Sequence, residues 1–421
     1  MKLRTKIIID RVIGIPIVYS LNILARFLGL LLRIDHSLSK PVKTIAVCKF
    51  VGLGSIIQAI PLLQTLRKAY PDARILFITS ASNAALLKHI DPVDDIITIS
   101  DSGAFSLIRS SVALLFKLWK QRPDVYIDLE IYSNYSSVIA TMSLSRNRMG
   151  FFKNDKTYRK GMYTHMMLYN VKSPVSQTYL QFARLLGCRE ILPQLSLCTD
   201  KIDQNKMALI QQKLAVKNLD QYIIINPNAS DLRIERRWGA ENVVALINAL
   251  SRDFPSHKIV LIGSKDESEY VSNIYSALNL TTNVFNSSGK LSIDELIILI
   301  SKSDLMITND TGPMHIAFAL NVKTVSLFGP CSPQQYGGLE NTITIYKNVY
   351  CSPCVHEFIM PPCKGDNQCM KKITVDEVFN AVKVSLERST THSTLNYSAI
   401  DYINADSVPL GMVLRQEQKN V

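Results

Sequence analysis

The chain has 421 residues, more than one ordinary core holds and enough for two domains. At 47% hydrophobic and 19% charged it is not a disordered chain. Its 47 basic residues against 35 acidic ones leave a net charge of +12 and ask for an anionic partner. The basic residues are dispersed outside Arg146–Lys172 and only two tryptophans are present. No basic stripe is interleaved with aromatics, so an acidic membrane or a phosphorylated substrate is expected and nucleic acid is not. No repeat at solenoid or propeller period occurs.

The first element is an apolar run, Val12–Leu32, preceded by Lys2, Arg4, Lys6 and Arg11. No small-residue cleavage site marks it as a secretory signal. Its length suits a single membrane span, but Gly14 with Pro16 breaks its start, and Asn22 and Arg26 interrupt it. Asn22, Arg26, Gly29 and Arg33 fall on one narrow helical stripe with apolar residues around it, the pattern of a helix lying in the membrane interface. An amphipathic helix packed on the protein's own first lobe is the third reading. Residues 1–40 are expected to associate with an anionic membrane surface.

From Lys43, apolar strands alternate with amphipathic helices, the signature of parallel α/β layers. Strands are expected at Thr44–Phe50, Arg74–Thr79, Ile96–Ser100 and Val125–Leu129, with helices at Ser55–Tyr70 and Leu107–Trp119. Ser145–Lys172 is basic and aromatic without periodicity and reads as a long loop. After a hydrophilic connector, a second series begins with a strand at Tyr222–Asn226. It continues through Glu241–Arg252 (helix), Lys258–Ile262 (strand) and Asp266–Leu278 (helix), then Leu305–Thr308 (strand), a helix from Pro313, and Thr324–Phe328 (strand). Ser292 and Glu295 spell a capping box. The helix at Val375–Leu386 either closes the second lobe or crosses back to the first. The architecture expected is α/β: two doubly wound, Rossmann-like lobes with a cleft between them, at residues 41–205 and 220–388, followed by a Ser/Thr/Asn-rich flexible tail at 389–421.

Three segments carry chemistry. In Asn309-Asp310-Thr311-Gly312-Pro313-Met314-His315 a strand ends and a helix opens with proline in its first turn, leaving backbone N–H groups and the helix dipole for an anion such as a diphosphate. Asn226-Pro227-Asn228-Ala229-Ser230 follows another strand and leads into Arg233, Arg236 and Arg237, placed to neutralise phosphate. Gly52-Leu53-Gly54-Ser55 lets the chain turn tightly, but Ile57 stands where a dinucleotide fingerprint has its third glycine. Lys265 and Asp266, after a further strand, are placed for a ribose or for a helix cap.

Together these stretches resemble glycosyltransferase family 9, the ADP-heptose:lipopolysaccharide heptosyltransferases. The resemblance runs from Lys43 to Val382 and rests on KFVGLGSIIQAIPLLQTLRKAYPDARI (Lys49–Ile75), INPNASDLRIERRW (Ile225–Trp238), LIGSKDE (Leu261–Glu267) and NDTGPMHIAFALNVKTVSLFGPCSP (Asn309–Pro333). It implies a GT-B fold with the nucleotide donor on the second lobe, the acceptor on the first, and inversion at the anomeric carbon. It also implies work at the cytoplasmic side of the inner membrane, as a peripheral protein or through a single amino-terminal anchor. Thr311, Gly312, Pro313 and Met314 would hold the diphosphate, and Arg236 stands near the family's phosphate-binding lysine. Asn228, Ser230, Arg237, Lys265, Asp266, Asp310 and His315 complete the expected donor site, for a sugar joined to a nucleotide diphosphate.

The family often has aspartate, its supposed base, where this chain has Ser55. Deprotonating an acceptor hydroxyl needs a carboxylate or histidine, and Glu130, then Asp128, at the end of a first-lobe strand, are the candidates. The basic stretch Arg146, Arg148, Lys153, Lys156, Arg159 and Lys160 reads either as a site for an acidic or phosphorylated, lipid-linked saccharide or as a solvated face. Cys351-x2-Cys354-x8-Cys363-x5-Cys369 could hold a structural zinc; with no Asp-x-Asp element, no metal is expected in the reaction. A sugar-nucleotide epimerase of the same architecture and a non-catalytic sugar-nucleotide-binding protein are the alternatives.

Overall fold

A computed structural model describes residues 3–387 of the chain except 101, 201, 203–204, 230–232, 280, 338–339, 356–357 and 359–360, with the side chains of 3–7 and 154–157 also outside the description. Ser230 and the expected tail at 389–421 lie outside the described residues. By contacts the chain divides into two compact units, Met1–Lys206 with Ser292–Ile298, and Met207–Leu291 with Leu299–Val421.

The first unit is built on β1 (Thr44–Cys48), β2 (Arg74–Ser80), β3 (Asp95–Ile99), β4 (Val125–Asp128), β5 (Asn147–Phe152) and β6 (His165–Leu168), all parallel, in the order β3-β2-β1-β4-β5-β6. The second holds β7 (Tyr222–Asn226), β8 (Lys258–Leu261), β9 (Val284–Asn286), β10 (Leu305–Asn309), β11 (Thr324–Phe328) and β12 (Thr342–Tyr346), also parallel. Their order, β12-β11-β10-β7-β8-β9, repeats that of the first sheet. Burial along β4, β7, β10 and β11, and along β1 after Thr44, explains why these strands are mostly apolar on both faces: helices cover both faces of each sheet. In doubly wound sheets the strand order reverses direction at a switch point, between β1 and β4 here and between β7 and β10, and the loops leaving those strands carry the chemistry.

Several expectations are corrected. Ser145–Lys172 is no loop: it supplies β5, a 3-10 helix at Asn154–Met162 and β6. These strands, of which β6 is the sheet edge, carry Asn147, Arg148 and His165, and so lack the apolar pattern of β1 and β4. The helix expected at Ser55–Tyr70 is two, Leu53–Ile57 and Ile60–Ala69, because Pro61 can sit only in a first turn. Helices at Asn134–Met142 and Val175–Leu185, and strands β9 and β12, had no clear periodicity to reveal them. The capping box is realised, with Ser292 N–H donating to Glu295 Oε2 at 2.7 Å and Glu295 N–H to Ser292 Oγ at 3.3 Å. The Val375–Glu387 helix packs into the second unit's own core through Val378, Ala381 and Val382.

The amino-terminal segment is two helices, Leu3–Val12 and Gly14–Leu32. They are tied to the first unit by polar groups: Asp10 accepts from the backbone N–H of Asn134 at 2.9 Å and of Tyr135 at 2.7 Å, capping the Asn134–Met142 helix. Asn22 is buried, its amide donating to Tyr158 O at 2.6 Å. A Cβ at Gly161 would fall 1.9 Å from Asn22 Oδ1, so glycine is what admits this approach. The polar stripe thus begins inward, and most of the apolar side chains face out.

Candidate active site

At the switch point of the first sheet, β1 ends in Lys49-Phe50-Val51-Gly52 and β4 in Asp128-Leu129-Glu130. Glu130 ties the two loops together: its Oε1 accepts from the N–H groups of Phe50 at 2.8 Å and Val51 at 2.9 Å, and its Oε2 faces Lys49 Nζ at 2.9 Å. Gly52, at φ 93°, takes a conformation that side chains resist, and the Leu53–Ile57 helix opens directly behind it. Gly54 is buried within that helix, and Ser55 hydrogen-bonds the buried Tyr179 phenol.

Asp128 is corrected as a candidate base. It has no exposed surface; its oxygens accept from Glu130 N–H at 2.9 Å, Ser136 Oγ at 2.8 Å and Tyr163 Oη at 2.6 Å, with Arg159 Nη2 at 3.7 Å. Burial pushes its carboxyl up, against the pull of Arg159 and Tyr163. It anchors the fold under the loop and cannot touch a substrate. Arg159, 1% exposed, belongs to that buried network rather than to a saccharide-binding face. Arg148 likewise turns back on its own chain, to Met162 O and Ser145 O. Lys153 and Lys160 lie over the rings of Tyr132 and Phe152.

At the switch point of the second sheet, β7 ends in Asn226-Pro227-Asn228 and β10 in Asn309-Asp310-Thr311. A lattice of amides fixes these ends. Asn226 Nδ2 donates to Thr311 Oγ1 at 2.7 Å, Asn309 Nδ2 to Pro227 O at 3.0 Å and Asn228 O at 3.1 Å, and Asn228 Nδ2 to Ile262 O at 2.8 Å. Asn226 and Asn309, which open the two motifs but are not among the expected donor-site residues, are therefore the residues that shape the loops. Their signal was present, since an amide at the last position of each strand can donate and accept at once. The Gly312–Ala319 helix opens at Thr311, whose extended backbone leads into it and whose side chain caps none of its N–H groups. Pro313 and Gly312 are half-buried, whereas the side chains of Met314 and His315 are buried, leaving them only backbone contacts to offer.

Arg236 reaches the same spot, Nη1 donating to Asp310 O at 3.3 Å and standing 3.6 Å from Asp310 Oδ2. Arg237 lies 4.2 Å above the Tyr270 ring and donates to Ala229 O at 3.3 Å. His315 Nε2 is 3.9 Å from Asp310 Oδ1; burial drives its pKa down to about 4, against Asp310 and with the help of Arg236, so the ring is neutral at pH 7. Among the described residues, buried Asn228 Oδ1 and the Nε atoms of Arg236 and Arg237 have no hydrogen-bond partner. Lys265 and Asp266 are exposed in the turn after β8, and Glu267 closes that turn by accepting from Ser264 N–H at 2.8 Å.

The four-cysteine segment is reduced, as are all eight cysteines. Burial raises the Cys369 thiol to about 12, and its neighbours Cys354, Cys351 and Cys363 add to the shift. Among the described residues no group of three or more His, Cys, Asp or Glu side chains stands as a metal ion would require.

Two six-stranded parallel sheets of identical order, the second ending in a helix start with arginine beside it, define the GT-B fold of nucleotide-sugar enzymes. The model of glycosyltransferase family 9 (heptosyltransferase) matches residues 112–362, more than half of the chain. Lipooligosaccharide heptosyltransferase 2 of Campylobacter jejuni is 28% identical over 344 residues, 80% of this chain and 96% of that one. Lipopolysaccharide heptosyltransferase 1 of Campylobacter coli is 27% identical over 296 residues, 68% and 83% of the two. The solved structure of Escherichia coli ADP-heptose lps heptosyltransferase II matches with a TM-score of 0.66 at 22% identity, over 82% of this chain and 98% of that one, a likeness of fold. The chain belongs to glycosyltransferase family 9. It is an enzyme of sugar transfer, and neither the epimerase nor the non-catalytic binder is favoured.

Proposed function

We propose that the chain transfers heptose from ADP-heptose, with inversion, to a lipopolysaccharide or lipooligosaccharide acceptor at the cytoplasmic face of the inner membrane. The observation that carries the donor half is the start of the Gly312–Ala319 helix, which the Thr311 side chain does not cap and which Arg236 flanks. A diphosphate there would meet backbone N–H groups, the positive end of the helix dipole and a guanidinium, all favouring the charge that builds as the nucleotide leaves. Asn228 and Arg237 would face the rest of the donor. The names of the relatives supply the sugar and the acceptor class.

On the first unit, Glu130, 6% exposed and bound to the Phe50–Val51 turn, is the candidate carboxylate for the acceptor hydroxyl. Its proton would pass to Glu130 as the hydroxyl oxygen bonds the anomeric carbon and the diphosphate departs. No metal takes part in this scheme. A zinc ion on Cys351, Cys354, Cys363 and Cys369 would be structural and would need those thiols drawn closer together.

The test is release of ADP from ADP-heptose on adding heptose-deficient lipooligosaccharide, with a mass increase of one heptose on the acceptor. ADP release without acceptor, or transfer only from a UDP- or GDP-sugar, would overturn the donor assignment. Activity is expected to survive EDTA.

A further inference from the structure

The Ala104–Gln121 helix belongs to the first unit, and its inward residues Leu114, Leu115 and Leu118 join Val18 of the Gly14–Leu32 helix and Ile139 of the Asn134–Met142 helix in one core on one face of the first sheet. The outer side of the same helix is also apolar. Phe105, Ile108, Val112, Phe116 and Trp119, at spacings of three and four, are 81%, 63%, 47%, 62% and 38% exposed. Single exposed apolar residues need no explanation; five on one stripe do.

Sharing that core, across the Asn134–Met142 helix, the Gly14–Leu32 helix turns out Ile17, Ile23, Leu24, Phe27 and Leu31 while burying Asn22. The 25 residues Ile8–Leu32 are long and apolar enough, by length and composition, to cross a bilayer. The Asn134–Met142 helix packs against the Gly14–Leu32 helix on one side and, with Ser111 Oγ 2.7 Å from Tyr135 Oη, against the Ala104–Gln121 helix on the other; Asp10 of the Leu3–Val12 helix caps its start. The two apolar helices therefore flank the Asn134–Met142 helix and share one core, with their apolar outer residues turned away from it.

Charge names the occupant. Residues 104–122 contain Arg109, Lys117, Lys120 and Arg122 and no acid. The lone acid of residues 3–32, Asp10, is spent inward as a cap. An apolar stripe rimmed by cations fits the interfacial layer of an anionic bilayer, with tails meeting the stripe and phosphates the rim.

We propose that the Ala104–Gln121 helix is a second membrane contact, so that the acceptor unit rests on the bilayer through two helices rather than hanging from its amino terminus. The inference deepens the membrane location proposed above and can fail separately from it. Full-length chain is mixed with vesicles of phosphatidylethanolamine and phosphatidylglycerol, with lipids brominated along the acyl chain as quenchers. Trp238 is buried in the second unit, so quenching reads Trp119. Trp119 should be quenched on binding, and Ile108→Ser with Phe116→Ser should lower vesicle partitioning by about tenfold or more, reversibly with salt.

Vesicle-bound protein with unquenched Trp119 would overturn the second contact while leaving amino-terminal attachment intact. Quenching that survives Ile23→Ser with Phe27→Ser would uphold it and cast doubt on the amino-terminal helix instead. If the chain dimerises without lipid, the Ile108→Ser, Phe116→Ser variant is monomeric and vesicle binding is unchanged, the face serves a second copy and the proposal is wrong. Circular dichroism of each variant checks that these exposed substitutions leave the fold in place.

Discussion

At the scale of single residues, Glu130 and Arg236 carry the sharpest expectations. Glu130→Gln keeps the shape but cannot accept a proton, so kcat should fall by about 10²–10⁴-fold with KM little changed. If Glu130 only holds the Phe50–Val51 turn, KM would rise instead, and the kcat–KM split decides. Arg236→Ala should lower kcat by about 10²–10³-fold, as loss of one group that stabilises the departing charge does. Arg159 is different in kind. It faces Asp128 in a pocket with no solvent, so Arg159→Met leaves an uncompensated carboxylate and should destabilise the first unit by about 3–5 kcal/mol, read from denaturant unfolding. The sequence showed both Asp128 and Glu130 at a strand end but could not say that one points down into the core. Arg159 sits in a run of lysines and arginines, and nothing local distinguishes the one that folds inward.

At the scale of elements, the open helix at Thr311 and the turn at Gly52 were legible because each has a local cause. Proline in a first turn and glycine at positive φ are preferences of the residue itself. The Gly312–Ala319 helix also carries the clearest pH dependence. His315 titrates near 6.5 when unfolded and at about 4 in the fold. Between those values the unfolded chain binds the extra proton, so stability rises with pH through that window and is lost on acidification from about 6.5 toward 4. The loss is bounded at about 3 kcal/mol. His315→Asn should flatten this part of the stability–pH curve relative to wild type; an unchanged curve would mean the ring is not buried neutral. The edge strands β6, β9 and β12 were less legible, as was β5 next to β6. Edge strands need no unbroken apolar run, and hydrogen bonds with a neighbour hold them whatever their composition.

At the scale of the molecule, the same strand order in both sheets gives two switch points, one for each half of the reaction. ADP should therefore act on the second unit: at about 100 times its Kd it should add about 2.7 kcal/mol, with slowed hydrogen exchange at Gly312 and Met314. Protection confined to the Gly52 loop would place the nucleotide on the wrong sheet.

What the sequence by itself determined was the succession of buried strands, the two-lobed plan, the family and the turns, all of which depend on composition and on neighbours a few positions apart. Only the tertiary structure decided that Asp128 is buried and Glu130 bound to the Phe50–Val51 turn, that Asp10 caps a helix more than a hundred residues away, and that the Ala104–Gln121 helix has apolar residues on both sides. Each of these depends on which long-range surface covers a side chain, and burial is a property of the packed chain rather than of its local order.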